Sequence, residues 1–101
     1  MNLQIQINHE RIAEFCRKWM VVEFSLFGSV LRDDFAPESD VDVAAALAPD
    51  APWSLYEWVD MIEELQEIFG RKVHLVEQTA VRNPYRRHEI FTTKQVIYAA
   101  S

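Results

Sequence analysis

Cysteine is nearly absent from this chain of 101 residues, since Cys16 is the only one. A single thiol cannot form an internal disulfide, and no Cys/His cluster has the spacing of a zinc site. A disulfide-stabilised secreted scaffold and a zinc module are therefore excluded, and a reducing cytoplasm is the expected compartment. Helical spacing places Cys16 beside Phe15 and Trp19, so we expect a buried thiol rather than a catalytic one.

Long apolar runs are also absent, because no stretch approaches the roughly 18 residues that a membrane span requires. The N-terminal sequence Met1-Asn2-Leu3-Gln4 lacks the basic and apolar regions of a secretory signal, so none is expected. Basic residues are outnumbered by acidic ones, and the formal net charge is −6. Binding to nucleic-acid polymers rests on many Lys and Arg contacts with phosphates, so it is not expected here.

Length and composition are those of one globular domain covering residues 1–101, with half of the residues apolar. Charge is unevenly distributed, because residues 71–94 hold six of the ten basic residues. This cationic segment could bind a phosphate-bearing ligand or an acidic partner, or it could be a solvated face. Within it, Tyr85, Arg86 and Arg87 could hold a nucleotide or a partner, or lie on the surface without a function.

Apolar periodicity and turn residues predict helices that alternate with short strands. The strongest helical signal precedes Gly70, because Ser54 and Glu57 have the spacing of a capping box. The predicted elements are a helix over 8–19, a strand over 21–27, a short helix or turn over 29–35, a strand over 40–47, a helix over 54–69, a strand over 72–76, and a helical region from Asn83-Pro84 to about Ala99, interrupted if at all at Thr92-Thr93. The fold class is therefore α/β (α+β), with a small mixed β-sheet covered by helices.

The helix over 54–69 is predicted to bury one face and to expose the other. The residues expected on the buried face are Leu55, Trp58, Val59, Ile62, Leu65 and Phe69. The acidic residues Asp60, Glu63, Glu64 and Glu67 lie opposite, and we interpret them as a solvated face rather than a metal site.

Asp40 and Asp42 are two residues apart on a predicted strand, so their side chains point to the same face. Two carboxylates roughly 6.5 Å apart repel each other, and a divalent cation between them removes that cost. Mg²⁺ prefers oxygen ligands and commonly uses one or two carboxylates together with waters and substrate phosphates. The pair is therefore a candidate Mg²⁺ site, although Asp-x-Asp alone is a weak signal.

Gly28 and Ser29 follow the strand over 21–27 and open a predicted short helix or turn. Glycine lets a phosphate approach the backbone closely, and free N–H groups with a serine hydroxyl can donate to it. The pair alone is equally compatible with a plain turn. The Gly-Ser pair becomes informative about a site through its spacing, because ten residues separate Ser29 from Asp40-Val41-Asp42.

The block Phe27-Gly-Ser-Val-Leu-Arg-Asp-Asp-Phe-Ala-Pro-Glu-Ser-Asp-Val-Asp42 resembles the signature of the DNA polymerase β-like nucleotidyltransferases. The short chain further resembles their minimal nucleotidyltransferase (MNT) branch, and the resemblance runs from the first helix through residues 71–77 to Tyr98. It implies the polymerase β-like nucleotidyltransferase fold. It also implies a reaction in which a nucleoside monophosphate moves from a nucleoside triphosphate to a hydroxyl group and pyrophosphate is released.

The resemblance assigns roles to the residues of this block. It implies that Asp40 and Asp42 are catalytic metal ligands for Mg²⁺ and that ATP is the substrate. The implied nucleotide-binding residues are Gly28, Ser29, Arg32 and Ser39. For Arg32, a surface position paired with Asp33 or Asp34 is the alternative.

One position departs from the family pattern. The family commonly has a third carboxylate on the strand after the long helix, whereas this sequence has His74, in Val73-His74-Leu75-Val76. Histidine binds Mg²⁺ poorly but suits softer ions such as Mn²⁺, and it exchanges protons near neutral pH. We therefore expect His74 to act as the general base or as an auxiliary ligand, with a weakened or inactive site as the alternative.

Minimal nucleotidyltransferases are often paired with a HEPN-domain protein, a small helical ribonuclease toxin. The resemblance therefore implies an antitoxin that forms a hetero-oligomer with such a toxin and transfers AMP from ATP to a tyrosine of it. The first alternative is a module that neutralises its partner by binding alone. The second is a small-molecule nucleotidyltransferase of the kind that modifies aminoglycosides, although those enzymes carry a second domain.

Overall fold

The computed structural model describes residues 6–31 and 39–100, with the side chain of Ser29 excepted. It contains helices α1 (His9–Trp19), α2 (Leu55–Phe69) and α3 (Pro84–Thr93) and strands β1 (Val21–Phe27), β2 (Val41–Leu47), β3 (Val73–Glu77) and β4 (Gln95–Ala99), with 3-10 turns at Gly28–Leu31 and Gln78–Ala80. None of the described helices combines the length and the apolarity that crossing a bilayer requires.

The four strands form one mixed sheet in the order β3-β2-β1-β4. β1 pairs antiparallel with both β2 and β4, whereas β2 and β3 run parallel and are connected through α2. The predicted class, a small mixed sheet covered by helices, is therefore confirmed. The central position of β2 agrees with its nearly continuous burial.

Helices α1 and α2 cover one face of the sheet and form the main core with it. Buried members of this core include Phe15 and Cys16 from α1, Leu26 from β1, and Met61 and Leu65 from α2. Burial raises the pKa of the Cys16 thiol to about 12, so the thiol stays protonated and unreactive at neutral pH, as its position predicts. The opposite face carries a smaller cluster of Phe27, Ala44 and Ile90, which brings α3 against the sheet.

The predicted helix starts are confirmed by their caps. The Asn8 side chain accepts from Arg11 N at 3.1 Å, and Ser54 and Glu57 complete the capping box of α2. Gly70 ends α2 with a φ of +69°, a left-handed conformation that glycine adopts without strain.

The final helical region is shorter than predicted, because α3 ends at Thr93 and residues Gln95–Ala99 form β4. The hydroxyls of Thr92 and Thr93 donate to the carbonyls of His88 and Glu89. Such side-chain bonds to the backbone compete with the regular hydrogen bonds of the helix and favour its end here. The chain beyond is rich in β-branched and aromatic residues. Its backbone pairs with β1, whose edge would otherwise be left without a partner.

The buried face of α2 also differs from the prediction, because Leu55 is 76% exposed and Val59 is 46% exposed. Met61 and Leu65 are the fully buried residues of this helix. At about 100° per residue, Leu55 and Val59 point roughly 200–240° away from Met61, and so away from the sheet. The predicted buried face of α2 is therefore wrong at Leu55 and Val59.

A polar cluster of Glu23, Gln78 and Lys94 joins β1, the second 3-10 turn and the start of β4. Lys94 Nζ donates to Glu23 Oε2, and Gln78 Nε2 donates to the same oxygen at 3.1 Å. These bonds from Lys94 and Gln78 hold the pKa of Glu23 below its ordinary value of 4.5. The cluster therefore stabilises the fold only while Glu23 is ionised.

The pH dependence of this contribution follows from the direction in which the pKa of Glu23 is shifted. The unfolded chain takes up the Glu23 proton at a higher pH than the folded chain, so the stabilisation is complete above about pH 4.5 and is lost as the pH falls through the folded value. We expect Lys94→Met to lower the free energy of unfolding at pH 7 by up to about 1 kcal/mol and to flatten its slope below pH 4.5. Urea unfolding at pH 3 to 7, with Lys72→Met as the charge-matched control, measures both effects. An unchanged slope in Lys94→Met would contradict the assignment.

Candidate active site at the edge of β1, β2 and β3

The site lies where β1 ends and where β2 and β3 begin. In the antiparallel pair, Phe27 is opposite Asp42, and in the parallel pair, Asp42 is opposite His74. Strand pairing therefore brings the Gly28 turn, the Asp pair and His74 to one edge of the sheet. The Val41 amide also donates to the Lys72 carbonyl at 2.9 Å, which fixes the start of β2 beside the start of β3.

Gly28 and Asp42 are in direct contact. Gly28 has a φ of +74°, and a Cβ added to it would lie 2.4 Å from Asp42 Oδ2. Real Cβ atoms do not approach oxygen so closely, so only glycine fits against the carboxylate in this position. The Gly28–Leu31 turn continues directly from this contact, and the Ser29 backbone is its second residue. The Ser29 side chain and the whole of Arg32 lie outside the described part of the structure.

Asp40 is exposed just before β2, and Asp42 is half-buried within it. Because Asp40 precedes the first residue of β2, the placement of both side chains on the same face stays a prediction from their two-residue spacing. Ser39 immediately precedes the pair, and its carbonyl oxygen accepts from Arg71 Nη1 at 3.4 Å. Of the residues expected in the site, the structure therefore brings together Gly28, Ser39, Asp40, Asp42 and His74.

His74 lies between a carboxylate and a guanidinium. Its Nδ1 is 3.4 Å from Asp42 Oδ1 and 3.3 Å from Arg86 Nη2. The guanidinium can only donate, so its contact requires an unprotonated Nδ1, whereas a bond to the carboxylate requires a protonated Nδ1. One ring nitrogen cannot serve both neighbours at once, so the imidazole adopts one contact or the other.

The donor set fits a hard divalent cation. Asp40 and Asp42 supply two carboxylates at the start of β2, and Mg²⁺ commonly takes one or two carboxylates and completes its shell with waters and phosphates. Across residues 6–31 and 39–100, no group of three or more His, Cys, Asp or Glu side chains is arranged to hold a metal ion. Among these residues, the Asp pair offers two carboxylates, which is the number that Mg²⁺ commonly takes from a protein when a phosphate substrate is bound.

Arg86 reaches the site from α3 and contacts Phe27, a contact that the sequence analysis does not predict. The Arg86 guanidinium lies 5.9 Å from the centroid of the Phe27 ring and reaches His74, whereas the neighbouring Tyr85 is 86% exposed. The basic character of residues 71–94 gave a signal for Arg86. No sequence feature predicted its contact with Phe27, because that contact depends on how α3 crosses the sheet.

Two surface clefts lie elsewhere, along α1 and α2. One is lined by Asn8, Phe69 and Arg71 among others, and the second by the Lys18–Glu64 ion pair and its neighbours. Neither is lined by Asp40, Asp42 or His74. The convergence of two carboxylates, a positive-φ glycine and a histidine favours the sheet edge over either of these clefts as the candidate active site.

Comparison with known proteins identifies relatives over nearly the whole chain. The profile of the nucleotidyltransferase domain family matches residues 10–97. Two proteins of Methanocaldococcus jannaschii, both provisionally named as protein adenylyltransferases, are 32% and 28% identical to the chain, and each alignment covers 86% of this chain and 85% of the relative.

Solved structures with a similar fold include proteins of toxin–antitoxin complexes. A toxin–antitoxin structure with AMP-PNP superposes with a TM-score of 0.73 at 20% identity, over 94% of this chain and 76% of the other. A protein provisionally named as a minimal nucleotidyltransferase gives a TM-score of 0.70 at 22% identity, over 86% of both chains. A complex of tri-AMPylated Shewanella oneidensis HEPN toxin with its MNT antitoxin gives 0.65 at 20% identity, over 92% of this chain and 71% of the other. These likenesses establish the fold.

Proposed function

The chain belongs to the nucleotidyltransferase domain family, and from this membership we propose that it transfers AMP from ATP to a tyrosine hydroxyl of a HEPN-domain toxin and so neutralises the toxin. The observation that supports the proposal most strongly is the contact between the Gly28 backbone and the Asp42 carboxylate, beside Asp40 and His74. The toxin partner is supported by the toxin–antitoxin complexes that share the fold. Because the reaction consumes ATP, the cytoplasm is the compartment we propose.

In this proposal Asp40 and Asp42 hold Mg²⁺, or Mn²⁺ in its place, which would neutralise charge on the triphosphate. Gly28 and Ser29 bind the triphosphate, and Ser39 and Arg32 complete the nucleotide site. The phenolic oxygen of the acceptor attacks the α-phosphorus, and the bond to the oxygen that bridges to the β-phosphate breaks. That oxygen keeps the electron pair and leaves with pyrophosphate, so the products are an AMP–tyrosine ester, pyrophosphate and a proton.

His74 is the proposed acceptor of the phenolic proton. His74 Nδ1 lies 3.4 Å from Asp42 Oδ1. If Nδ1 carries a hydrogen and forms a hydrogen bond to this oxygen, the lone pair of Nε2 is available to accept the proton of the incoming hydroxyl. The imidazole is about half exposed, so solvent can replace part of its function. An auxiliary role as a ligand for Mn²⁺ is the alternative within the same proposal.

We expect His74→Ala to lower the rate of AMP transfer about 10- to 100-fold without weakening ATP binding, because only the proton-accepting group is removed. His74→Asp, which places a carboxylate at this position as in the family pattern, should retain transfer with Mg²⁺. Single-turnover rates of adduct formation measure the first effect, and calorimetric titration with ATP measures the second. Full activity in His74→Ala would show that His74 is not the base.

The direct test of the proposed function is the intact mass of a co-purified HEPN partner after incubation with this protein, ATP and Mg²⁺. A gain of one or more AMP masses on the partner is the expected result, and peptide mapping should place the adduct on tyrosine. A tight complex whose partner gains no mass with either Mg²⁺ or Mn²⁺ would refute the transfer reaction.

A binding-only module is the second candidate, and one observation favours it. Arg86 donates to His74 Nδ1 if that nitrogen is unprotonated, and in this tautomer Nε2 carries the hydrogen and cannot accept another. Together with the missing third carboxylate, this arrangement suits a domain that neutralises its partner by contact. Metal-dependent formation of an AMP–protein adduct distinguishes the two candidates.

A further inference from the structure

Arg86 carries a charge that no carboxylate in the described part of the chain neutralises. Its side chain is half-buried, and its guanidinium contacts the His74 ring and the Phe27 ring instead. Two lysines of the described residues are instead paired with carboxylates, since Lys94 binds Glu23 and Lys18 binds Glu64. A half-buried guanidinium whose polar partner is an imidazole rather than a carboxylate is arranged to receive an anion.

The position of Arg86 is fixed by the start of α3. The Asn83 side chain accepts from the Tyr85 and Arg86 amides at 2.9 and 3.2 Å, and Pro84 occupies the first turn. Phe27 supports the guanidinium from below and is the residue directly before Gly28. The Arg86 guanidinium is therefore held close to the start of the Gly28–Leu31 turn, and little further ordering of this side chain is needed for it to bind a ligand there.

The contact with His74 is the weaker of the contacts available to Arg86. An imidazole nitrogen accepts one hydrogen bond through a single lone pair, whereas a phosphate is an anion that can accept two parallel N–H bonds from the guanidinium. The two distances at His74 Nδ1 also place Arg86 Nη2 within about 7 Å of Asp42 Oδ1. A ligand held at the Asp pair is thus within reach of the guanidinium.

We propose that Arg86 is a substrate-binding residue that leaves His74 and binds a phosphate of the nucleoside triphosphate. The inference rests on the proposed function for the identity of the ligand, but it concerns nucleotide binding rather than the acceptor. It assigns the cationic segment 71–94 a specific use, with one of its six basic residues directed into the site. It also frees His74 Nδ1 for Asp42 once the nucleotide is bound.

The test compares Arg86→Gln with Arg87→Gln. The two variants lose the same charge from neighbouring positions of one helix, but Arg87 is exposed and its guanidinium lies over the Phe91 ring, away from the site. The probe is the Mg²⁺ complex of an ATP analogue with a methylene group between the α- and β-phosphates, titrated by calorimetry. We expect Arg86→Gln to weaken binding about 10- to 100-fold, Arg86→Lys to weaken it less, and Arg87→Gln to leave it unchanged.

Kinetics with the HEPN partner complete the test. The KM for ATP should rise in Arg86→Gln while the KM for the partner stays constant, and thermal unfolding should show that each variant is folded. Normal affinity of Arg86→Gln for the analogue overturns the inference, as does a rise confined to the KM for the partner, which would mark Arg86 as a docking residue. Arg86-dependent binding by a wild-type protein that transfers no AMP would support this inference and refute the proposed function.

Discussion

Replacement of both Asp40 and Asp42 by asparagine is expected to reduce AMP transfer at least about 1,000-fold, with the partner complex intact. Asparagine keeps the size of the side chain but removes the two negative charges that would hold a divalent cation on this face of β2. The charge on the triphosphate would then be left without its main counterion. Rates of adduct formation by intact mass, together with size-exclusion chromatography of the complex, measure both expectations.

The control for this variant is Asp60→Asn combined with Glu63→Gln on the exposed side of α2. It changes the net charge by the same two units at a distance from the site, because both residues are exposed on a helix that covers the opposite face. We expect transfer at the wild-type rate. Comparable losses in both double variants would show that overall charge, rather than the Asp pair, controls the reaction.

Gly28→Ala is expected to impair the protein in two ways. A left-handed conformation costs an alanine about 1–2 kcal/mol, and the new methyl group would lie 2.4 Å from Asp42 Oδ2. Either the carboxylate or the turn must move, so we expect a loss of transfer of at least about 100-fold together with a lower midpoint of urea unfolding.

Gly70→Ala separates these two effects. Gly70 has a similar φ of +69°, but a Cβ added there would meet no atom within 4 Å. This variant should therefore lose only the about 1–2 kcal/mol that the left-handed conformation costs an alanine, and it should keep its transfer rate. If Gly28→Ala were no worse than Gly70→Ala in activity, the Asp42 carboxylate would not lie against the backbone of Gly28 during the reaction.

Local signals in the sequence were sufficient for much of the fold. The caps at Asn8 and Ser54 and the glycine after α2 act within a few residues, and the structure places them as predicted. β4 was missed because its strand conformation depends on pairing with β1, which is distant in the sequence. The exposed Leu55 was misplaced because periodicity alone does not show which stripe of a helix faces the sheet.

The candidate site divides in the same way. The Gly28 and Asp42 positions were predicted from one continuous block, and strand pairing brings them into contact. The proximity of His74 to Asp42 was predictable only from the family resemblance, because the register between β2 and β3 cannot be derived from local sequence signals. The approach of Arg86 was not predictable, because it requires the position of α3 on the face opposite to α1 and α2.

The register between β2 and β3 has a consequence for how this chain can change over time. His74 faces Asp42 only because the two strands pair in one alignment, and a shift by a single residue would turn Val73 or Leu75 toward the carboxylate. The connection from Gly70 to Lys72 sets that alignment, so a one-residue insertion or deletion there would exchange a polar neighbour for an apolar one. Substitution at position 74 is thus a small evolutionary step, because it changes one side chain and keeps the strand register. A change in the length of the preceding connection would instead separate position 74 from Asp42.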